Sequence, residues 1–415
     1  MIGMSRRFLR LLTRRQVAGP AWWSVVSRLP VYLMSLAMVL VVREQGGSYP
    51  QAGMVSAFYT VGMALGSPLV ARRIDRTGRR GVLLTTGLVY PLALAALVWG
   101  TAPGTPGQLA LAVIAGVSLP PANACMRSLW ARLPLRDEER ETAYLWEALL
   151  TELLVIGAPL MLAALMVTGS AGRALTAVAV LGGIGALGLA LTPLPREVAD
   201  KDRAARAERG ARRGGAGPLR DPGMRALTAV MAASAVPIGL MTLAIPAFVD
   251  RHGTPGRTGV VYACWGIGSA LGALWLGRAQ SERPVHRRFP WLLLAYAAGT
   301  ALPLLAGSEL TLALALAIGG APIALVSAGE MSLVSTLADS RLLTEAFTWA
   351  SLATVVGEAA GQQVGGLLID PLGPHGVFAV AVGVSLATAL GAFACRGLFA
   401  KGALPDPTAL SPQQP

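Results

Sequence analysis

Five ionisable side chains stand inside long apolar runs of this sequence: Arg28, Glu147, Glu152, Glu330 and Glu358. A charge at the centre of a bilayer costs about 2.5–3.5 kcal/mol or more, so each is expected to have a task. At about 1.5 Å of rise per helical residue, Glu152 falls roughly 15 Å into its run and Glu358 lies in the middle third of its own. Desolvation favours the neutral form of a carboxyl. An acid at that depth can take a proton from one side of a membrane and release it to the other. Glu152 and then Glu358 are the expected proton-coupling residues; the competing role is a structural hydrogen bond between helices. Arg28 is expected to pair with one of them or to contact an anionic substrate. Glu147 and Glu330 sit nearer the ends of their runs, where snorkelling or an interhelical pair is the ordinary role. Glu147 and Glu152 are five residues apart and project about 140° from each other on a helix.

Arg28, Glu330, Asn123, Trp146 and Trp349 form the candidate lining of a substrate cavity. Asn123 and Arg127 share one helical face. The two tryptophans can stack on a ligand or simply pack. Pro120-Pro121 and Gly319-Gly320 with Pro322 fall at comparable places in two runs. They free backbone groups and allow bending, which is tolerable only beside protein or a cavity. Cys125, Cys264 and Cys395 lack zinc-site spacing. His252, His286 and His375 fall in expected loops. With no clustered nucleophile, acid or metal set, the sequence reads as no enzyme, with no metal and no cofactor beyond a proton gradient as driving force.

The elements that hold these residues are set by composition. In 415 residues, 54% are hydrophobic and 14% charged, about half the usual ~25% charged. Twelve runs reach the ~20 apolar residues a membrane helix needs: 21–42, 51–71, 81–100, 107–127, 142–168, 173–194, 224–249, 258–278, 289–306, 309–334, 343–369 and 375–396. The formal charge of +13 comes in bursts between the runs, which argues against nucleic-acid binding. Even-numbered connections carry the arginines, so both termini are expected on the cytoplasmic side of a bacterial membrane. The organisation reads as a basic tail (1–20), a six-helix bundle (21–194), a polar linker (195–223), a second six-helix bundle (224–396) and a tail (397–415).

The halves repeat. Pro30-Val-Tyr-Leu-Met-Ser-Leu matches Pro237-Ile-Gly-Leu-Met-Thr-Leu, Gly62-Met-Ala-Leu-Gly66 matches Gly268-Ser-Ala-Leu-Gly272, and Ala143-Tyr-Leu-Trp146 matches Ala346-Phe-Thr-Trp349. The offsets are 207, 206 and 203. Parallel repeats imply a pseudo-twofold axis along the membrane normal with a site between the halves.

At the end of the second run the chain reads Ala71-Arg-Arg-Ile-Asp75-Arg76-Thr-Gly78-Arg79-Arg80. This resembles the signature loop of the major facilitator superfamily, in the position where that family carries it; Ala71 replaces a usual glycine. The resemblance implies an all-α membrane protein, with twelve transmembrane helices in two pseudo-twofold-related six-helix bundles. It also implies that spans 1, 4, 7 and 10 line a cavity and that spans 2, 5, 8 and 11 flank the interface. Asp75, with Arg76, Gly78, Arg79 and Arg80, would act as a conformational latch near the N-terminus of span 11. The function implied is secondary active transport of a small molecule by a bilayer-embedded monomer. Few polar groups line the expected cavity, which favours proton-coupled export of an amphiphilic compound. Proton-coupled import of a polar or anionic nutrient, with Arg28 as the anion contact, is the alternative.

Overall fold

The computed structural model describes residues 15–132, 137–192, 217–252, 257–276, 284–338 and 342–401, and contains no strand among them. The tail at 1–14, most of the 195–223 linker and residues 402–415 lie outside the described residues. The last helix runs to Lys401, past the expected boundary at 396.

The first expected span is two helices, α1 (Arg15–Arg28) and α2 (Met34–Glu44), bent by 51° about the turn Leu29–Tyr32. Pro30 sits in that turn; a proline lacks the N–H that would continue the ladder and clashes with the preceding turn. Next come α3 (Tyr49–Thr77) and α4 (Arg79–Gly100). Ser48 and Gln51 close a reciprocal capping box at the start of α3, satisfying two orphan donors. Gly78 separates α3 from α4 at φ 89°, a backbone state that glycine adopts without strain.

The fourth expected span is α5 (Pro106–Val117) and α6 (Ala122–Arg132), broken at Pro120-Pro121. The first half ends with α7 (Asp137–Thr168) and α8 (Ala171–Leu191). The second half contains α9 (Pro222–Arg251), α10 (Thr258–Leu276), α11 (Val285–Ala301), α12 (Glu309–Gly319), α13 (Ile323–Leu337) and α14 (Leu343–Lys401). The break between α12 and α13 falls at Gly320–Pro322, the counterpart of the break in the first half. Helix α14 turns at Gly373, whose φ is 67°. His375 lies in its second limb, not in the expected loop, and its Nε2 is 2.9 Å from the Ala306 carbonyl.

Among the described residues, eight helices are long and apolar enough to cross a membrane, nine if the α1–α2 pair is one span. The expected twelve is not reached on this measure for two reasons. Helix α14 counts once although it turns, and the apolar stretches of α7 (Leu153–Val167) and α10 (Thr258–Ala273) are short.

The repeat seen in sequence is a repeat in packing. Cβ atoms added at Gly62 and Gly66 of α3 would strike the backbone at Val113 and Val117 of α5. Cβ atoms at Gly268 and Gly272 of α10 would strike the backbone at Ala317 and Ala321, along and just past α12. Each half thus uses two glycines one turn apart to bring the same pair of spans into backbone contact, the small-residue packing that substitutes for a hydrophobic drive within lipid. Gly268→Leu is expected to force these helices apart and cost about 1–3 kcal/mol or more. A lowered midpoint of thermal unfolding in detergent checks this.

The buried cores reveal how the halves sit. One core is shared. It joins Leu33–Val42, Tyr49, Ala52 and Val55 of the first half to Leu240, Leu243–Val249 and Ile369 of the second. All lie toward the end opposite the arginine-rich connections. At the arginine-rich end there are two cores. One gathers Val17, Leu83, Met126, Trp130 and Ala186 from the first half alone. The other gathers Met224, Phe289, Tyr296, Leu333 and Phe399 from the second alone. Among the described residues, the buried cores of the halves merge at one end and stay separate at the other.

Candidate functional site: a polar seam where the halves part

Helices α3 and α14 carry the halves together. Gly53 of α3 faces the backbone of Gln362 and Gly366 of α14, and Gly366 faces Tyr49 and Pro50. On the opposite side Gly259 of α10 meets Pro159 and Ala163 of α7, and Gly266 meets Val155. These are the second, fifth, eighth and eleventh of the expected spans, the ones the family resemblance puts at the interface.

A chain of hydrogen bonds crosses the α3–α14 contact. The Thr60 hydroxyl donates to Gln362 Oε1 at 3.1 Å and to its own helix at the Ser56 carbonyl, 2.9 Å away. Gln362 Nε2 donates to Glu358 Oε1 at 3.2 Å. Thr60 and Gln362 are buried; Glu358, one turn closer to the arginine-rich end, is half-buried. Glu358 therefore sits where the shared core gives out. Gly239 and Gly361 let α9 lie directly on the Glu358–Gln362 backbone, which fixes its position. Tyr59 and Tyr262 are close enough to feel its charge. The Tyr59 and Tyr90 hydroxyls are 3.5 Å apart, as are those of Thr242 and Tyr262. No ion pair to Glu358 occurs among the described residues.

The other expected residues are placed as follows. Glu152 is helical in α7, and its side chain lies outside the described residues. Arg28 differs from expectation: its guanidinium pairs with Glu147 Oε2, and the two side chains are 1% and 10% exposed. The Trp130 indole donates to the other Glu147 oxygen at 2.7 Å. Arg28 and Glu147 face each other because the α1–α2 bend begins at Arg28, beside the cytoplasm-side stretch of α7 expected from the sequence. The ion pair is thus buried within one half. Glu330 is 5% exposed and accepts from the Ser234 hydroxyl at 2.7 Å, inside the other half. Asn123 on α6 and the tryptophans Trp146 and Trp349 are half-buried. In the signature loop the side chains of Asp75 and Arg76 lie outside the described residues. Arg79 donates to the Thr192 carbonyl at 3.1 Å, and Arg80 is exposed.

Thr60, Tyr59, Thr242 and Tyr262 were not distinguishable in sequence. Their only signal is a hydroxyl in the middle of an apolar run, which most membrane helices also carry as an internal hydrogen bond.

A second junction closes the far end. Arg43, at the end of α2, pairs with Asp250 of α9 at 3.3 Å, and the Tyr49 hydroxyl donates to Asp250 at 3.2 Å. The Arg43 guanidinium also lies 4.1 Å over the Tyr49 ring. Arg43 and Asp250 are 207 residues apart, the same offset as the repeat in these two helices. Positions related by the pseudo-twofold face each other only at the axis. There a duplicated residue would meet itself, and like charges would repel; Arg against Asp removes the conflict. A cavity of about 260 Å³ remains beside the pair, lined in part by Leu40, Met166 and Pro246.

Solved structures share this fold. A point variant of nucleoside transporter NupG matches with TM-score 0.73 at 13% identity, covering 91% of this chain and 99% of that one. A peptide transporter POT variant in complex with sulfate matches with TM-score 0.66 at 16% identity, covering 92% and 94%. A POT family transporter in complex with 5-aminolevulinic acid matches with TM-score 0.65 at 13% identity, covering 92% and 96%. At these identities the likeness is one of fold. No curated protein sequence matches the chain. The sequence profile of the Major Facilitator Superfamily matches residues 23–305. With the fold, the repeat and the signature loop already in place, that match makes the chain an integral membrane transporter, not an enzyme, belonging to the Major Facilitator Superfamily.

Proposed function

We propose that the chain is a secondary active transporter that works by alternating access and couples export of a small amphiphilic molecule to proton entry. The observation that carries the reading is the position of Glu358, a half-buried carboxyl at the apex between two halves, hydrogen-bonded through Gln362 to the opposite half. Twelve spans support the topology when the α1–α2 pair counts once, α14 is divided at Gly373, and the short apolar helices of α7 and α10 are included. The arginine-rich end is then cytoplasmic, and the conformation described opens toward it.

A proton and a cationic or hydrogen-bonding substrate compete for one carboxyl, and competition of that kind is what exchange requires. The apex is mostly apolar with a few hydroxyls, which suits an amphiphile bearing one such group. Nucleosides and peptides, named for the structural neighbours, are more polar than this lining favours. Glu152, across the seam on α7, is the second coupling position, and Asp75 latches the cytoplasmic end when it closes.

Proteoliposomes with an imposed pH gradient test the reading: proton-driven flux should fall in Glu358→Gln and in Glu152→Gln. Flux unchanged in both variants would overturn it.

The far-end pair yields a separate expectation. Arg43 and Asp250 are partly exposed, so their net worth is below about 1 kcal/mol. That is still enough to change the ratio of two near-equal conformations about fivefold, since 1.4 kcal/mol is tenfold. Asp250→Asn should increase labelling of an outer-end cysteine by a membrane-impermeant thiol reagent. The exchange Arg43→Asp with Asp250→Arg should restore it.

A further inference from the structure

Gln362 has two ways to satisfy its neighbours, and the choice depends on the proton at Glu358. A primary amide has one acceptor oxygen and one donor nitrogen. Buried between fixed partners, it can only stand as it does or rotate by half a turn. As it stands, the nitrogen faces Glu358 and the oxygen faces Thr60. That orientation suits an ionised carboxylate, which can only accept. It leaves the single Thr60 proton divided between two acceptors, Gln362 Oε1 at 3.1 Å and the Ser56 carbonyl at 2.9 Å.

A protonated Glu358 becomes a donor. The amide then turns its oxygen to Glu358 and its nitrogen to Thr60. The Thr60 hydroxyl accepts from Gln362 and gives its proton to Ser56 alone. The shared hydrogen bond across the halves becomes an undivided one, and Thr60 keeps a second undivided bond to its own helix. The proton comes from water in the cleft and stays on Glu358; nothing else is transferred.

We propose that Gln362 is a positioning residue that reports the protonation state of Glu358 to the opposite half through Thr60, so that a proton on Glu358 strengthens the α3–α14 seam and favours the conformation closed at the far end. This deepens the transporter reading above and rests on it. The titratable groups facing Glu358 from the elements around it are Tyr59 of α3 and Tyr262 of α10; α9 presents Gly239 there.

The test uses the full chain lacking Cys125, Cys264 and Cys395, spin-labelled at Ala102→Cys and Leu305→Cys on the far-end connections. The population of the short distance is followed from pH 5 to pH 8, alongside proton uptake. The parent protein should gain the short distance as pH falls. Thr60→Val, which can neither donate nor accept, should keep its proton uptake but lose at least four-fifths of the pH response. Thr60→Ser should restore that response. A Thr60→Val protein with the parent's pH response overturns the proposal. So does one that loses proton uptake, because Thr60 would then act on Glu358 itself. A Glu358→Gln protein that keeps both the uptake and the response refutes the coupling reading instead, and is told apart by that signature.

Discussion

Glu358→Gln is expected to reduce proton-driven transport at least a hundredfold while leaving the protein folded. Gln at this position keeps the size of the side chain and one hydrogen bond to Gln362, so the α9–α14 contact at Gly239 and Gly361 is undisturbed. What disappears is the titration. A permanently neutral apex holds one charge state on both sides of the membrane, and the pH gradient then has nothing to act on. Exchange of substrate across the membrane without a gradient should persist at raised substrate concentration, because the glutamine can still hydrogen-bond the substrate and the rocking of the halves does not itself need the proton. Measuring driven flux and gradient-free exchange on one preparation separates lost coupling from a protein that has simply failed.

The second large effect is on stability. Arg28 and Glu147 form a buried pair, with the Trp130 indole on the remaining carboxylate oxygen. Removing one partner strands a charge in a low-dielectric interior, at a cost of about 3–5 kcal/mol. Glu147→Ala should cost the more, because it also leaves the Trp130 N–H unpaired, adding about 1–3 kcal/mol. Removing both charges with apolar groups of similar volume, Arg28→Met with Glu147→Leu, should recover most of the loss, since the desolvation penalty goes with the pair. The thermal midpoints of the parent, Glu147→Ala and double-variant proteins in detergent check this. A double variant no more stable than Glu147→Ala would mean that the guanidinium is held by something other than Glu147.

What could be read from sequence was whatever repeats or costs energy in lipid. The glycine pairs Gly62/Gly66 and Gly268/Gly272 stood out because they recur at the offset of the repeat, and they proved to make equivalent contacts. The breaks at Pro120-Pro121 and Gly319-Gly320 were legible because proline and glycine act locally. Glu358 was legible because an acid in hydrocarbon is rare. Partners were not legible. Arg28 stands 119 residues from Glu147, and nothing in either run says which acid it meets; the 51° bend at Pro30 decides that. Thr60 and Gln362 are 302 residues apart, and ordinary hydroxyls become a site only when two helices are laid together. The pairing of Arg43 with Asp250 lay in the repeat offset all along, but it needed the twofold axis to turn an offset into a contact.

The central claim is that two halves rock about Glu358, closing one end as the other opens. It is tested most directly by two distances measured on one preparation. One label pair spans the arginine-rich end at Gly81→Cys and Ser335→Cys; the other spans the far end at Ala102→Cys and Leu305→Cys. When pH is changed with substrate present, the first distance should lengthen as the second shortens, and Glu358→Gln should hold both fixed. Two distances that stay constant, or that lengthen together, would contradict the account.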